Sequence, residues 1–521
     1  MSSQSSSLAD EQPQAAQSSW AGKVWKNAHS LLRKAITRAA LPYWSVALAL
    51  LAGAALRLFF ILVYPEFDGD SAVYGTIAKN LLVHHAYALD KPYHLTLIRL
   101  PGYPFFLALI FKLFGIDNYD PVRPIQMAVD LASCLLIAGF VRDHASRRAA
   151  HWALWLAVLC PFTANYTADP MTETNSIFCV ALGLFAGGRL VRGIRAEGRL
   201  PWGYLALTAA ALSCAILFRP DGVLLPAAVI PGIWWYTRRS APRESLRAAL
   251  LCALLAALPF LPWTIRNYRV FHVFQPLAPR FANDPGESIL SGYVRWTKTW
   301  LVEYVSSADV YWKGDDEPID IHLLPSRAFD SAEEYRQTGQ LIADYNEVCT
   351  ITPELDARFD ALARQRIGSH PFRYYVALPL ARVADMWLRP RTELMTDSSP
   401  YEAMNNVLPI RWWEWRRHPG GSLIAFSYGL LDAALLAFAA VGFIRRRVPF
   451  AVMLGAYLVF RCLLLATMEN AEPRYTLEGF PIVLIAAALA IAPRPKMGNG
   501  PASDPCRSAI DRSPRREAES A

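Results

Sequence analysis

The feature that most constrains the fold is a series of apolar runs whose lengths approach the thickness of a bilayer. A helix of about 20 residues crosses the hydrocarbon core, which is roughly 30 Å thick. Because 54% of the residues are hydrophobic and only 18% are charged, one globular core in water cannot bury them all. We predict an all-α integral membrane protein with about ten transmembrane helices, near residues 43–64, 124–141, 150–166, 175–190, 202–217, 222–237, 247–263, 421–443, 448–467 and 476–492.

A further apolar stretch, Gly102 to Gly115, has only about 14 residues and decides the topology. If it spans the membrane, the basic cluster in residues 23–38 is separated from all the others. If it lies in the interface, every basic cluster falls on one side, which the positive-inside rule makes cytoplasmic. We therefore predict an interfacial helix and two cytoplasmic termini.

This topology divides the chain into five predicted parts. The basic residues behind the net charge of +8 cluster between apolar runs, which is a signal of membrane topology. We therefore predict no nucleic-acid partner. The parts are a disordered, basic cytoplasmic tail (1–42), a transmembrane module (43–267) whose first external loop is 65–123, an external loop domain of mixed helix and loop (268–420), the C-terminal transmembrane helices (421–492) and a disordered cytoplasmic tail (493–521).

Two carboxylates, Asp68 and Asp70, follow the first apolar run directly. One interpretation is that Asp70 caps a helix starting at Ser71, because its oxygen can accept a free backbone N–H there. The other makes a carboxylate a general base or a metal ligand at the lipid–water boundary. The spacing alone leaves both open.

Four arginines recur at the same predicted level, on the external side, where the positive-inside trend disfavours them. Each can pair with a neighbouring carboxylate or reach lipid headgroups. Guanidinium groups also bind phosphate through two parallel hydrogen bonds. Since all four share one face with Asp70 and Glu173, we predict an anionic ligand bound by Arg99, Arg219, Arg266 and Arg474.

Other polar residues on this side carry weaker signals. Asp169 and Glu173 lie in a turn that Ser or Asn could have formed. His84, His85 and His94 suggest a metal by residue type, but nothing in the sequence brings them together. We predict a surface role for these histidines.

In this order the motifs resemble the GT-C class of integral membrane glycosyltransferases, specifically bacterial relatives of the protein O-mannosyltransferases and of the lipid A aminoarabinose transferases. The resemblance covers about residues 44–270 and resumes at 472–491. Many relatives have adjacent acidic residues at the first motif, whereas Ser71 follows Asp70 here. The matching elements are Asp70-Ser71-Ala72-Val73-Tyr74, Pro101-Gly102-Tyr103-Pro104, Asp169–Glu173, Arg219-Pro220-Asp221-Gly222, Pro262–Asn267 and Arg474-Tyr475.

The resemblance implies transfer of a sugar from a polyprenyl-phosphate donor to a protein or glycolipid acceptor, with inversion, on the periplasmic face of a bacterial inner membrane. Asp70 would be the general base. Glu173 and Asp221 would orient the acceptor or hold a divalent cation such as Mg or Mn. The implied catalytic residues are Asp70, Asp68 and Glu173, and the implied substrate-binding residues are Tyr74, Arg99, Tyr103, Asp169, Arg219, Asp221, Arg266, Arg474 and Tyr475.

Two other classes of protein remain open from the sequence. A polytopic transporter of an anionic or glycolipid substrate would also place charges along a solute path. The predicted charges collect at one face, however, and no inverted repeat is evident, which disfavours a transporter. The third class is a glycan-binding or scaffold protein without activity.

Overall fold

The computed structural model describes residues 43–67, 69–90, 93–287, 289–314, 317–391, 419–445 and 448–492. Both predicted tails and the catalytic candidate Asp68 lie outside these ranges, as do 392–418 of the predicted external domain.

Helices of eight or more residues make up most of the described chain. They are α1 (Tyr43–Val63), α2 (Gly69–Val83), α3 (Gly102–Phe114), α4 (Val122–His144), α5 (Arg147–Val158), α6 (Glu173–Glu197), α7 (Trp202–Phe218), α8 (Leu224–Thr237), α9 (Pro242–Ala257), α10 (Phe260–Phe271), α11 (Ser291–Lys298), α12 (Ala332–Val348), α13 (Pro353–Ser369), α14 (Leu378–Leu388), α15 (Pro419–Arg445), α16 (Ala451–Thr467) and α17 (Phe480–Ile491).

Shorter elements connect these helices. A small antiparallel hairpin pairs strand β1 (Ala88–Asp90) with strand β2 (Tyr93–Leu95). The short helical turns are Pro161–Ala164, Asn165–Thr167, Pro220–Val223, Tyr304–Ser306, Ser307–Tyr311, Ile321–Leu323, Ser326–Ala328, Arg373–Ala377 and Pro473–Gly479.

The chain is an all-helical integral membrane protein, as predicted. By length and composition, six helical stretches of the described residues can cross a membrane. The shorter α7 and α16 are also apolar, and the predicted count of ten stays a prediction. The six stretches are Trp44–Val63, Val122–His144, Glu173–Glu197, Pro242–Phe271, Leu423–Arg445 and Pro473–Ile491.

Two predicted spans were too long. The run 150–166 breaks after α5, because Pro161 has no N–H to donate and disfavours helical backbone in the residue before it. The run 222–237 begins as a 3₁₀ turn, Pro220–Val223, and continues as the 14-residue α8, which contains Pro231. In both runs the regular α-helix is shorter than the apolar stretch from which the span was predicted.

Helix α3 has 13 residues and is too short to cross a bilayer, as predicted for the interfacial stretch. One face is buried and includes Leu107 and Phe111, whereas Leu109 and Leu113 are exposed. This two-sided pattern is typical of a helix that packs on protein and faces lipid or the interface.

Two large cores organise the described helices. The first lies in the helix bundle and includes Leu184, Leu212, Val229 and Phe480. The second lies in the described part of the predicted external domain, residues 268–391, which we call the external segment after that prediction. Trp296, Trp300 and Phe359 are fully buried in this core, which extends to Leu465 at the end of α16. The external segment therefore packs against α16.

An ion pair between α1 and α4 is buried inside the bundle. The Nε of Arg57 in α1 donates to Asp130 Oδ2 in α4 at 2.8 Å, and its Nη1 donates to the carbonyl of Val158 at 2.7 Å. A charge in hydrocarbon is costly unless it is paired. This pair therefore links three helices at the point where α5 ends.

Candidate active site

A cavity of about 660 Å³ opens between the helix bundle and the external segment. Its walls come from distant parts of the chain, including 98–100, 171–173, 218–221 and 278–282. Eight residues predicted for the site line it: Asp70, Tyr74, Arg99, Glu173, Arg219, Asp221, Arg474 and Tyr475. The fold thus gathers side chains from distant parts of the sequence, such as Asp70 and Arg474, which are 404 positions apart.

Asp70 lies between two guanidinium groups in this cavity. Arg99 Nη2 donates to Asp70 Oδ1 at 2.6 Å, and Arg474 Nη2 donates to Asp70 Oδ2 at 3.3 Å. Burial alone would raise the pKa of Asp70, but the positive charges of Arg99 and Arg474 outweigh it and hold that pKa below its usual value. The carboxylate is therefore ionised at neutral pH.

The capping interpretation of Asp70 does not fit these contacts. Helix α2 begins at Gly69, so Asp70 lies in its first turn and not before it. Both carboxylate oxygens accept hydrogen bonds from arginine side chains. A negative charge still suits this end of the helix dipole, but the side chain is directed into the cavity.

A second set of charges lies deeper. Arg219 Nε is 3.1 Å from both Asp221 Oδ1 and Glu478 Oε1. Arg461 contacts the same two carboxylates, with Nη2 3.0 Å from Glu478 Oε2 and Nη1 bonded to Asp221. These four side chains form a closed charge ring in which each charge touches two of opposite sign. The ring joins the turn after α7 to α16 and to the turn before α17.

Arg219 also reaches the cavity wall. Its Nη1 donates to Glu173 Oε1 at 2.6 Å and to Thr172 Oγ1 at 3.2 Å. Glu173 is 1% exposed, so loss of this pairing would leave a buried carboxylate without an arginine partner. Burial would raise the pKa of Asp221, but Arg219 and Arg461 hold it well below its usual value. Arg219 is thus held by three carboxylates.

Glu472 completes the cavity rim. It is ion-paired with Arg474 Nε, and Tyr475 donates its hydroxyl to Glu472 Oε1 at 2.7 Å. Burial raises the pKa of Glu472, although Arg474 opposes that shift. Arg474 is therefore shared between Asp70 and Glu472. We call Asp70, Arg99, Glu472 and Arg474 the open charge set.

Glycines let the motif backbones come close. A Cβ on Gly102 would lie 2.5 Å from the carbonyl oxygen of Leu217, and one on Gly222 would lie 2.1 Å from that of Ala215. Any side chain there would clash with backbone. The two motif glycines pack the start of α3 and the turn after α7 against the end of α7, beside Arg219.

Two predicted site residues lie behind the cavity wall. Tyr103 donates to Gln126 Oε1 at 2.8 Å, and Gln126 Nε2 donates to the carbonyl of Asp169 at 2.7 Å. Asp169 Oδ1 accepts from Ser71 Oγ at 3.1 Å. The ring of Tyr103 packs edge-on against that of Tyr74. This network fixes the start of α2, and hence Asp70, from behind.

Arg266 is directed elsewhere. Its Nη1 donates to the carbonyl of Thr96 at 2.7 Å and its Nη2 to that of Tyr87 at 3.1 Å. The guanidinium also lies over the rings of Trp263 and Phe271. Arg266 thus holds the ends of the β1–β2 hairpin together, and its predicted contact with phosphate has no support in this arrangement.

Arginine already occupies the three described carboxylates at which a divalent cation could be expected. Asp70, Glu173 and Asp221 are each bonded to arginine, and Mg²⁺ or Mn²⁺ would need their oxygens. Within the described ranges, one group of three potential ligands converges, and it consists of His94, Asp284 and Glu287 outside this set. The cation at Glu173 and Asp221 stays a prediction.

Sequence reasoning missed Arg461 and Glu478 and treated Glu472 only as a neighbour of Arg474. Arg461 and Glu478 lie within apolar runs that were predicted to span the membrane. A charged residue inside such a run is itself a functional signal. The sequence therefore shows that these two charges are unusual, but it does not show which residues pair with them.

The profile of the family described as dolichyl-phosphate-mannose-protein mannosyltransferase matches residues 90–263. The resemblance to GT-C membrane glycosyltransferases is thus confirmed over that part of the chain. A search of curated proteins found no match.

Solved structures with a similar course of the chain have low identity. An Archaeoglobus fulgidus oligosaccharyltransferase tethered to an acceptor peptide has a TM-score of 0.45 and 13% identity over 87% of this chain and 50% of its own. ArnT from Cupriavidus metallidurans bound to undecaprenyl phosphate has a TM-score of 0.38 and 14% identity over 87% of this chain and 78% of its own. The chain spans about half the length of the archaeal enzyme.

Proposed function

We propose that the chain is a membrane glycosyltransferase that moves a sugar from a polyprenyl-phosphate donor to an acceptor on the external, periplasmic face, with inversion and with Asp70 as general base. The observation that carries the proposal is the position of Asp70 between Arg99 and Arg474 in the cavity. The family match over 90–263 supports the reaction class. Prediction of the external face rests on the one-sided basic clusters.

The charges suggest how a donor phosphate would enter. Each arginine of the open charge set is already paired with a carboxylate. A phosphate has more negative charge and geometry suited to guanidinium, so it would compete with Asp70 for Arg99 and Arg474. The exchange would leave Asp70 with less positive charge around it and a higher pKa. Donor binding would therefore convert a neutralised carboxylate into a stronger base.

The proposed chemical step is a single displacement. Asp70 takes the proton of an acceptor hydroxyl while the oxygen of that hydroxyl forms a bond to the anomeric carbon. The bond from that carbon to the phosphate oxygen breaks, and the electron pair leaves with the polyprenyl phosphate. Arg99 and Arg474 stabilise the charge that develops on this leaving group. Attack opposite the phosphate inverts the anomeric centre.

The closed charge ring supports the step indirectly. Arg219 is engaged by Glu173, Asp221 and Glu478, so its charge is balanced before any ligand arrives. We assign Glu173 and Asp221 to positioning Arg219 at the cavity wall. Tyr74 and Tyr475 add aromatic surface beside the sugar and phosphate positions. The acceptor, whether protein or glycolipid, would enter past the external segment.

The test separates transfer from transport. Purified protein in nanodiscs is given undecaprenyl-phosphate donors with labelled sugars, together with envelope acceptors. We expect release of undecaprenyl phosphate and label on the acceptor, both lost in Asp70→Asn and kept in Asp90→Asn, which alters a more exposed carboxylate of the same external loop. Movement of intact donor across proteoliposomes without cleavage would instead establish the transporter, and binding with neither would establish the scaffold.

A further inference from the structure

Three side chains from two separate segments meet beside the cavity wall. His94 is on strand β2, whereas Asp284 and Glu287 lie in the loop after α10. One ligand atom from each lies within 4.8 Å of the others. Residues 278–282 of the same loop line the cavity. We propose that His94, Asp284 and Glu287 bind a zinc ion that fixes this loop to the β1–β2 hairpin.

The burial and hydrogen bonding of the Asp284 carboxylate support a cation at this position. Its side chain is 8% exposed, and no hydrogen-bond donor among the described residues reaches its Oδ2. A buried carboxylate oxygen without a hydrogen bond is costly, and a cation would satisfy it. The imidazole Nε2 of His94 lies 3.4 Å from this oxygen. Oδ2 therefore faces the position that an ion would take.

The spacing suits a small tetrahedral ion. Zinc lies about 2.0–2.1 Å from His nitrogen and carboxylate oxygen, which places two ligand atoms of a tetrahedron about 3.4 Å apart. The distance between His94 Nε2 and Asp284 Oδ2 matches that edge. The Glu287 ligand oxygen lies within 4.8 Å of both atoms, so a small movement of this exposed side chain closes the remaining gap. Three protein ligands leave the fourth position for water.

The groups around these ligands hold them in place. The backbone N–H of Leu97 donates to Asp284 Oδ1 at 2.8 Å, which leaves Oδ2 turned toward His94. The backbone N–H of Asp284 donates to Glu287 Oε2 at 2.7 Å. Hydrogen bonds of this kind orient metal ligands in proteins. Arg266 fixes the hairpin itself through the carbonyls of Tyr87 and Thr96.

The choice of metal follows from the donors. An imidazole nitrogen with two carboxylates suits zinc, whereas Mg²⁺ and Ca²⁺ prefer oxygen ligands alone. Two carboxylates and a neutral imidazole carry two negative charges, which a divalent ion balances. This position differs from the predicted Mg or Mn at Glu173 and Asp221. It also replaces the surface role predicted for His94.

Zinc binding can be measured without any transferase assay. Full-length protein with its affinity tag removed is stripped with EDTA, and ZnCl₂ is added in detergent. We expect about one zinc per chain by mass spectrometry of the metal, and a higher melting temperature that Mg²⁺ and Mn²⁺ do not reproduce. Asp284→Asn and His94→Gln should each reduce the bound zinc at least tenfold, since each removes one of three ligands.

His84→Gln is the matched control, because His84 lies in the same external loop outside the group. It should keep full zinc binding. Size-exclusion profiles of the EDTA-stripped variants check that they are folded, and CoCl₂ should give visible absorption bands in wild type only if the site forms. Equal zinc content in wild type and Asp284→Asn would overturn the site, as would equal effects of Mg²⁺ and Zn²⁺. Absence of binding would leave an ordinary His94–Asp284 ion pair.

Discussion

The open charge set and the closed charge ring use the same residue types but differ in solvent access. In the open set the side chains of Asp70, Arg99 and Arg474 are 30%, 20% and 16% exposed, and that of Glu472 is 4% exposed. In the ring, Asp221 and Arg219 are 15% and 13% exposed, whereas Arg461 and Glu478 are 1% and 2% exposed. Each ring member also contacts at least two opposite charges, whereas Arg99 contacts only Asp70 among the ion pairs of the described residues.

The difference in solvent access indicates that the two sets of charges have different roles. Partly exposed pairs are worth little and exchange partners easily. Buried pairs are costly to break, because the remaining charge loses both water and partner. We infer that the open charge set exchanges with substrate and that the closed charge ring holds the arginines of the cavity in place. Variants in the two sets should therefore fail in different ways.

The largest effect should come from breaking the ring. Arg461→Met keeps much of the side-chain volume but leaves Asp221 and Glu478 to share Arg219 alone. We expect the free energy of unfolding to fall by about 3–5 kcal/mol, measured by denaturant titration in mixed micelles. Turnover should fall with the folded fraction.

Arg461→Met combined with Glu478→Gln is the control for that variant. The second change removes the uncompensated buried carboxylate, so it should restore much of the lost stability. A single Arg461→Met variant as stable as wild type would show that the ring does not hold the fold, and the contrast with the open set would disappear.

The next effect concerns the open set. Asp70→Asn keeps the shape of the side chain but cannot accept the acceptor proton, so turnover per folded molecule should fall on the order of a hundredfold or more. The melting temperature should change little, because the pairs of Asp70 are partly exposed. Asp68→Asn should be milder, since the motif aligns on Asp70 through Tyr74. Near wild-type turnover of Asp70→Asn would remove it as the base.

The pH profile of the wild type tests whether the donor phosphate displaces Asp70 from its arginines. Arg99 and Arg474 lower the pKa of Asp70, so in free enzyme activity is retained above that pKa and lost as pH falls through it. If phosphate takes those guanidiniums, the pKa of Asp70 rises in the complex. The acid limb of kcat should therefore lie at higher pH than that of kcat/KM. Coincident acid limbs would contradict the exchange of partners.

A smaller effect is expected at Arg474. Arg474→Ala removes a charge-assisted contact worth about 1.5–3 kcal/mol, so donor affinity should fall roughly tenfold or more. Arg474→Lys should recover only part of it, because an ammonium group lacks the planar fork. Arg358→Ala, in a surface pair with Asp344, controls for loss of one positive charge. Unchanged donor affinity in Arg474→Ala would exclude Arg474 from the phosphate site.

The sequence predicted which residues gather in the cavity better than how they are arranged there. Charges beside apolar runs predict one common face for residues such as Asp70 and Arg474, and the cavity brings these two together. The direction of a side chain around a helix or turn depends on tertiary contacts. Arg266 fits the family motif and the predicted common face, yet its guanidinium donates to backbone carbonyls of the hairpin.

The ring was beyond sequence reasoning for a related reason. Arg461 pairs with Asp221, 240 positions away, and hydrophobicity averages conceal a single charge in an apolar run. The break in the run 150–166 was equally hidden, since Pro161 divides a run that is mostly apolar. The apolar pattern thus predicted the all-helical membrane class, whereas pairing and helix ends required the folded chain.

The smallest predicted effect lies where the two sets meet. The ring of Tyr475 has the guanidinium carbons of both Arg219 and Arg474 within 5.6 Å of its centroid, and its hydroxyl donates to Glu472. Tyr475→Phe keeps both cation–π contacts and loses one hydrogen bond, so stability should fall by about 1 kcal/mol and donor affinity by less than about threefold. Tyr475→Leu should cost more, because it removes both ring contacts. If Tyr475→Phe instead lowered donor affinity as much as Arg474→Ala, the hydroxyl would have to contact the donor directly. Tyr475 would then belong to the exchanging set and not to the boundary between the two.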